Sequence, residues 1–132
     1  MDETLDLDRF LPYRLNRLAA TASRDLQATY RTHHDITVPE WRTLATLGQF
    51  GELTATAIGR HASMHKTKVS RAIAALEGRR WVVRATNPRD RREATVRLTP
   101  AGRTAYTELA AVAAAFCERL LAGLGPAERA TV

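Results

Sequence analysis

The chain has 132 residues, 45% apolar and 26% charged, a balance that fits one globular domain with a core of its own and excludes a disordered chain. One cysteine excludes an internal disulfide framework, and no run approaches the ~20 apolar residues of a membrane span. Residues 1–8 carry four acids and no base, which argues against a signal or transit peptide, so the expectation is a cytoplasmic protein with no membrane partner.

The charge is uneven along the chain. Lys and Arg total 20 against 14 Asp and Glu, a net +6. Residues 60–103 hold 12 bases and 3 acids, whereas residues 1–59 and 104–132 are both net acidic. A basic excess confined to one block points to an anionic partner of that block.

In chain order, residues 5–30 place apolar side chains at 7, 11, 15, 18, 22 and 26, one face of a helix that starts or bends near Pro12. His33, His34, Asp35 and Thr37 read as a loop. Thr37 to Glu40 fits a capping box, and Trp41, Leu44, Ala45 and Leu47 line a second helix that ends around residues 48–51. Leu53 and Thr54 supply a short extended pair and then the cap of a third helix over residues 55–62. Ser63 and Met64 make a tight connection. His65 or Lys66 opens a fourth helix that reaches about Arg79, with Val69, Ala72, Ile73 and Leu76 inward. Residues 81–84 are β-prone, residues 87–92 are turn-rich, and residues 94–98 alternate and can pair back as a hairpin strand. Thr99 and Pro100 read as cap and first position of a long Ala-rich helix, with Leu109, Val112, Phe116 and Leu120 as its stripe. Gly123 and Gly125 break it, and Pro126 starts a short last helix.

Two helices joined by a tight turn and followed by a basic hairpin make a winged helix-turn-helix. The expected fold is therefore mainly α with a small β-hairpin wing. The DNA-binding part spans about residues 37–99, flanked by long dimerisation helices at about 5–31 and 100–132 within a single domain. The outward face of the fourth helix carries Lys66, Thr67, Lys68, Ser70, Arg71 and Ala74. Long cations can bond guanine edges or phosphates, and the hydroxyls can bond either near a helix N-terminus. The hairpin tip holds Arg89, Asp90, Arg91 and Arg92; its arginines repel one another unless an anion is near, and Asp90 can direct Arg92 by an ion pair. Each element alone also fits a solvated face or a solubilising loop.

The run Ile58-Gly-Arg-His-Ala-Ser-Met-His-Lys-Thr-Lys-Val-Ser-Arg-Ala-Ile-Ala-Ala-Leu76, then Trp81-Val-Val-Arg84, Pro88-Arg-Asp-Arg-Arg92 and Leu98-Thr-Pro-Ala-Gly102, resembles the MarR family of bacterial transcriptional regulators over nearly the whole chain. Phe10-Leu-Pro-Tyr-Arg-Leu15 and Pro39-Glu-Trp-Arg42 also look like a subgroup responsive to aromatic acids or their coenzyme A thioesters. The resemblance implies a homodimer whose first, fifth and last helices interlock. It implies two winged heads on a pseudo-palindromic double-stranded operator, usually as a repressor, and a small-ligand pocket between the dimer helices and the head. It matches Thr67, Lys68, Ser70 and Arg71 to base- and phosphate-contacting positions, and Asp90 and Arg92 to the wing's acid–arginine pair. The chain departs from the family at Arg80, where Gly is usual, so the turn into the hairpin should be strained or differ. It departs again at Asn87, where Asp is frequent. The very short last helix implies a trimmed chain or a reduced dimer interface.

Tyr13, Arg17, His34, Trp41 and Arg42 are the candidate effector residues: an arginine for a carboxylate, aromatics for a ring. Core packing for Trp41 and solvent for the arginines is the competing reading. His33 and His34 lack a carboxylate or thiol partner at metal-ligand spacing, so neither metal nor cofactor is expected. A peroxide-sensing branch of the family uses a cysteine near the N-terminus, where this chain has none; Cys117, in an apolar run, reads as a buried small hydrophobe. An enzyme is not expected, since there is no nucleophile–base arrangement, Gly-rich phosphate loop or metal cluster. The alternative to a ligand-relieved repressor is a constitutive architectural DNA-binding protein without an effector.

Overall fold

Pro12 sets where the first long helix begins. The computed structural model describes residues 4–87 and 90–132, leaving aside the side chains of residues 87 and 90–93. In it, a 3-10 turn at Leu7–Arg9 leads into α1 (Leu11–Arg31), with Pro12 in the first turn, where a missing N–H costs no helical bond. The Thr32 hydroxyl donates to the Thr29 carbonyl at 2.7 Å as α1 ends. His34 and Asp35 then take left-handed backbone angles, φ 62° and 50°, which turn the chain.

The chain divides into two compact units, Met1–Val38 and Pro39–Val132. In the first, Tyr30, Ile36 and Val38 are buried. Burial pushes the Tyr30 phenol well above its ordinary range, so it stays neutral.

The second unit carries the head. After α2 (Val38–Phe50) come β1 (Leu53–Thr54), α3 (Ala55–Ala62), α4 (Lys66–Gly78), β2 (Val82–Asn87), β3 (Asp90–Leu98), α5 (Pro100–Leu120) and α6 (Pro126–Thr131). Leu44, Leu47, Ile58, Val69, Ile73, Leu76, Val82, Val96 and Leu109 form its core. All four side chains expected inward on α4 are buried. Thr43 and Thr46 are buried too, and their hydroxyls donate to the Pro39 and Arg42 carbonyls at 2.9 and 2.6 Å, so neither is left unsatisfied.

The strands form one antiparallel sheet in the order β1-β3-β2. The extended pair expected at Leu53 and Thr54 finds its partner in β3, opposite Val96 and Thr95. The hairpin corrects one expectation: Asp90, Arg91 and Arg92, turn-rich by composition, belong to the strand β3. Thr86 faces Ala94 while Asn87 faces Asp90, so the register slips at the wing and takes up extra residues in the longer strand.

The junction before the wing is closed by α5. Arg80 has φ 63°, the strained conformation expected where glycine is usual. Its carbonyl accepts the Thr99 hydroxyl at 2.7 Å, and the same hydroxyl oxygen caps α5 by accepting from Gly102 N at 3.0 Å. Thr99 N donates to the Trp81 carbonyl at 2.9 Å. A Cβ on Gly102 would stand 1.9 Å from that carbonyl oxygen, so only glycine fits this approach.

Cys117 is exposed, a second correction: the Ala-rich α5 around it has too little polar contrast to define a buried face from sequence. Along the expected α5 stripe, Leu109 is buried, Val112 and Phe116 are half-buried, and Leu120 is exposed. No described helix is long and apolar enough to cross a membrane.

Candidate nucleic-acid interface

Lys66, Thr67, Lys68, Ser70, Arg71 and Ala74 are all exposed on α4, opposite the buried Val69, Ala72, Ile73 and Leu76. The apolar stripe thus fixes which way the cations and hydroxyls face. The N-cap is His65, whose Nδ1 accepts from Thr67 N at 3.3 Å. Ser63, left-handed at φ 52°, ends α3 and makes the tight connection to α4. Thr54 starts α3 by accepting from Ala57 N at 3.1 Å. Both ends of α3 and the start of α4 are therefore set by local caps.

The wing candidates divide. Arg89 lies outside the described residues. Asp90, Arg91 and Arg92 lie on β3 by backbone, and the side chains of the expected Asp90–Arg92 pair are outside the description. The structure adds cations not singled out in the sequence: Arg60 at the end of α3, Arg84 on β2 and Arg97 on β3, all exposed. Arg84 Nε donates to Glu77 Oε1 at 2.8 Å, joining the end of α4 to the base of the wing. Both partners are partly exposed, so the pair orients Arg84 more than it stabilises the fold. The signal for these residues was the basic density of residues 60–103; only the fold says which of them share a face with α4.

The effector candidates separate between the two units. Tyr13 and Arg17 lie one turn apart on α1, the guanidinium 5.7 Å from the ring centroid, in a concavity of about 540 Å³ with Leu11, Leu18 and Thr21. His34 is exposed in the left-handed turn. Trp41 and Arg42 belong to α2. Trp41 is half-buried and stacks on Tyr106 of α5 with centroids 6.3 Å apart, as its packing reading expects, and Arg42 is exposed. Among the described residues no three His, Cys, Asp or Glu side chains converge on a metal-sized site.

A model described as MarR family matches residues 34–93. A MarR-family transcriptional regulator of known structure from Silicibacter pomeroyi is 28% identical, over 96% of this chain and 84% of its own, with a TM-score of 0.79. A MarR/EmrR family regulator from Acinetobacter sp. ADP1 is 23% identical over 96% and 89%, with a TM-score of 0.87. BpsR of Bordetella bronchiseptica, whose DNA binding is regulated by 6-hydroxynicotinic acid, is 24% identical over 89% and 92%, with a TM-score of 0.77. The last two show the fold alone. No curated protein matches the chain.

Proposed function

We propose that the chain is a member of the MarR family of transcriptional regulators, and that it is a cytoplasmic, dimeric repressor that reads a pseudo-palindromic operator and is released by a small aromatic acid or its acyl-CoA thioester. The family's members are regulators and not enzymes. The observation that carries the DNA-binding part is the cationic outer face of α4 beside a basic β2–β3 hairpin. Lys66, Thr67, Lys68, Ser70 and Arg71 enter the major groove, while Arg89, Arg91 and Arg92 follow the adjacent backbone or minor groove, with Asp90 directing Arg92. Binding should weaken steeply with salt, because each neutralised phosphate releases counterions. The combined substitutions Arg71→Ala and Arg92→Ala should remove most of the affinity for a duplex by fluorescence anisotropy; unchanged affinity would sink the reading.

The exposed leucines of α1 support the dimer. Leu11, Leu15 and Leu18 are 62%, 56% and 63% exposed on a helix whose buried residue is Tyr30. Such a stripe is stable in water when a second copy covers it. Light scattering should give twice the chain mass, and Leu11→Asp with Leu18→Asp should halve it.

For the effector, Arg17 supplies a cation for a carboxylate and Tyr13 a ring face, with His34, Trp41 and Arg42 as further candidates. A ligand that prefers one spacing of the two heads would deplete the spacing that fits half-sites one helical turn apart. A thermal-shift screen against aromatic carboxylates and acyl-CoA thioesters tests this. Stabilisation that Arg17→Ala removes is the expected result; none with any ligand favours an architectural binder.

A further inference from the structure

Beyond the helix and wing residues, we propose that Arg60, with Thr56 one turn before it, seats a backbone phosphate of the duplex between the recognition helix and the wing; this rests on the DNA-binding reading above. Thr56 and Arg60 are exposed and spaced i, i+4, so they share one face of α3. That face adjoins two concavities of about 430 Å³ each. One lies toward α4 and is lined also by Met64, Lys66, Val69 and Ser70. The other lies toward the sheet and is lined also by Arg84, Ala94 and Val96. Ala55, Thr56 and Arg60 line both, so α3 presents them as the ridge that separates the reading helix from the base of the wing.

The charge along this ridge is one-sided. Lys66 flanks Arg60 on one side and Arg84 on the other, and the carboxylate at the wing base, Glu77, is engaged by Arg84 at 2.8 Å. Among the described residues none gives the Arg60 guanidinium a hydrogen bond or an ion pair. With Arg84 neutralised by Glu77, Arg60 and Lys66 remain without an ion pair among the described residues, and the two open concavities between them give an outside anion room to bind. A duplex that meets α4 in one groove and the wing in the next must carry its backbone over the strip between them, where the first helix of a helix-turn-helix crosses. A guanidinium there binds phosphate by a two-pronged contact, and the Thr56 hydroxyl is placed to bond a neighbouring oxygen. The competing account is that Arg60, in the last turn of α3, only complements the helix dipole.

The two accounts differ in what salt does. The full chain is titrated with a fluorescent mixed-sequence duplex of about three helical turns, between about 50 and 200 mM salt. A phosphate contact carries no sequence information, so the operator is not needed. Arg60→Gln should lower the slope of log affinity against log salt by about 0.9 for each head bound, and Arg60→Lys should keep it. Thr56→Val should weaken binding a few-fold at an unchanged slope. Arg60→Gln should melt with the parent chain. A slope that survives Arg60→Gln, or that falls equally in Arg60→Gln and Arg60→Lys, overturns the phosphate seat. Arg71→Gln separates the two failures. If it flattens the slope and Arg60→Gln does not, the seat alone is wrong. If the parent chain shows no salt-dependent binding, the DNA-binding reading fails and takes the seat with it.

Discussion

Two amphipathic helices of this chain, α4 and α1, differ in that only the first covers its apolar face. The thirteen residues of α4 bury Val69, Ala72, Ile73 and Leu76. The twenty-one residues of α1 bury Tyr30, while Leu11, Leu15 and Leu18 stay more than half exposed. The same periodicity thus signals two different things. In α4 it marks a stripe satisfied within the head, which makes the opposite cationic face rigid. In α1 it marks a stripe that another surface must cover. Truncating the two stripes should therefore give opposite results.

The largest effect belongs to α4. Ile73 is fully buried, so Ile73→Ala should cost about 3–4 kcal/mol in urea denaturation at a fixed protein concentration. Leu18→Ala, on a side chain 63% exposed, should cost under about 0.5 kcal/mol in the monomer. Its effect should instead appear in the dilution at which the dimer dissociates. Equal losses at the two positions would erase the distinction between the helices.

Gly102→Ala comes next. The new Cβ would meet the Trp81 carbonyl oxygen at 1.9 Å, and that oxygen is backbone, already held by Thr99 N. Neither side can swing away, so α5 must shift along the sheet at a cost of about 2–3 kcal/mol. Thermal denaturation reads the loss directly; a melting temperature within a degree of the parent would contradict the closeness of this contact.

Arg71→Ala tests the face that α4 keeps outward. It should leave the melting temperature unchanged and weaken duplex binding by about 10- to 100-fold, the worth of one good base or phosphate contact. A fall in stability with unchanged binding would reverse the roles of the two faces.

How much of this was legible depended on contrast between neighbours. The alternation of cation and aliphatic over residues 66–76 is sharp, so the buried side chains of α4 could be named in advance, as could the capping threonines Thr54 and Thr99. The exposure of Cys117 could not, because in residues 110–117 alanines surround it and no face is more polar than another. The length of β3 was hidden because Asp90, Arg91 and Arg92 have turn-like composition, and the pairing that draws them into a strand is non-local. Arg60 was unremarkable on a short helix. What singles it out is its place between α4 and the sheet, which no local pattern encodes.

The smallest effect is at Arg80, where strain foreseen from sequence can be removed without touching a contact. An L-residue at φ 63° pays for the approach of its Cβ to its own carbonyl, roughly 1–2 kcal/mol, and glycine does not. Glycine brings a more flexible unfolded chain, which returns part of that gain. The hydrogen bonds of the turn run through the backbone: Arg80 N to Glu77 O at 2.9 Å, and the Thr99 hydroxyl to Arg80 O at 2.7 Å, so both survive the substitution. The Arg80 side chain is exposed. The balance leaves Arg80→Gly more stable by about 0.5–1 kcal/mol, a rise of roughly 2–4 °C in melting temperature for a chain of this size. Arg80→Ala keeps the Cβ and loses the charge, so it should melt with the parent. If it rises as far as Arg80→Gly, the relief comes from removing one cation of a crowded block, and the strain at this turn is not what limits the head.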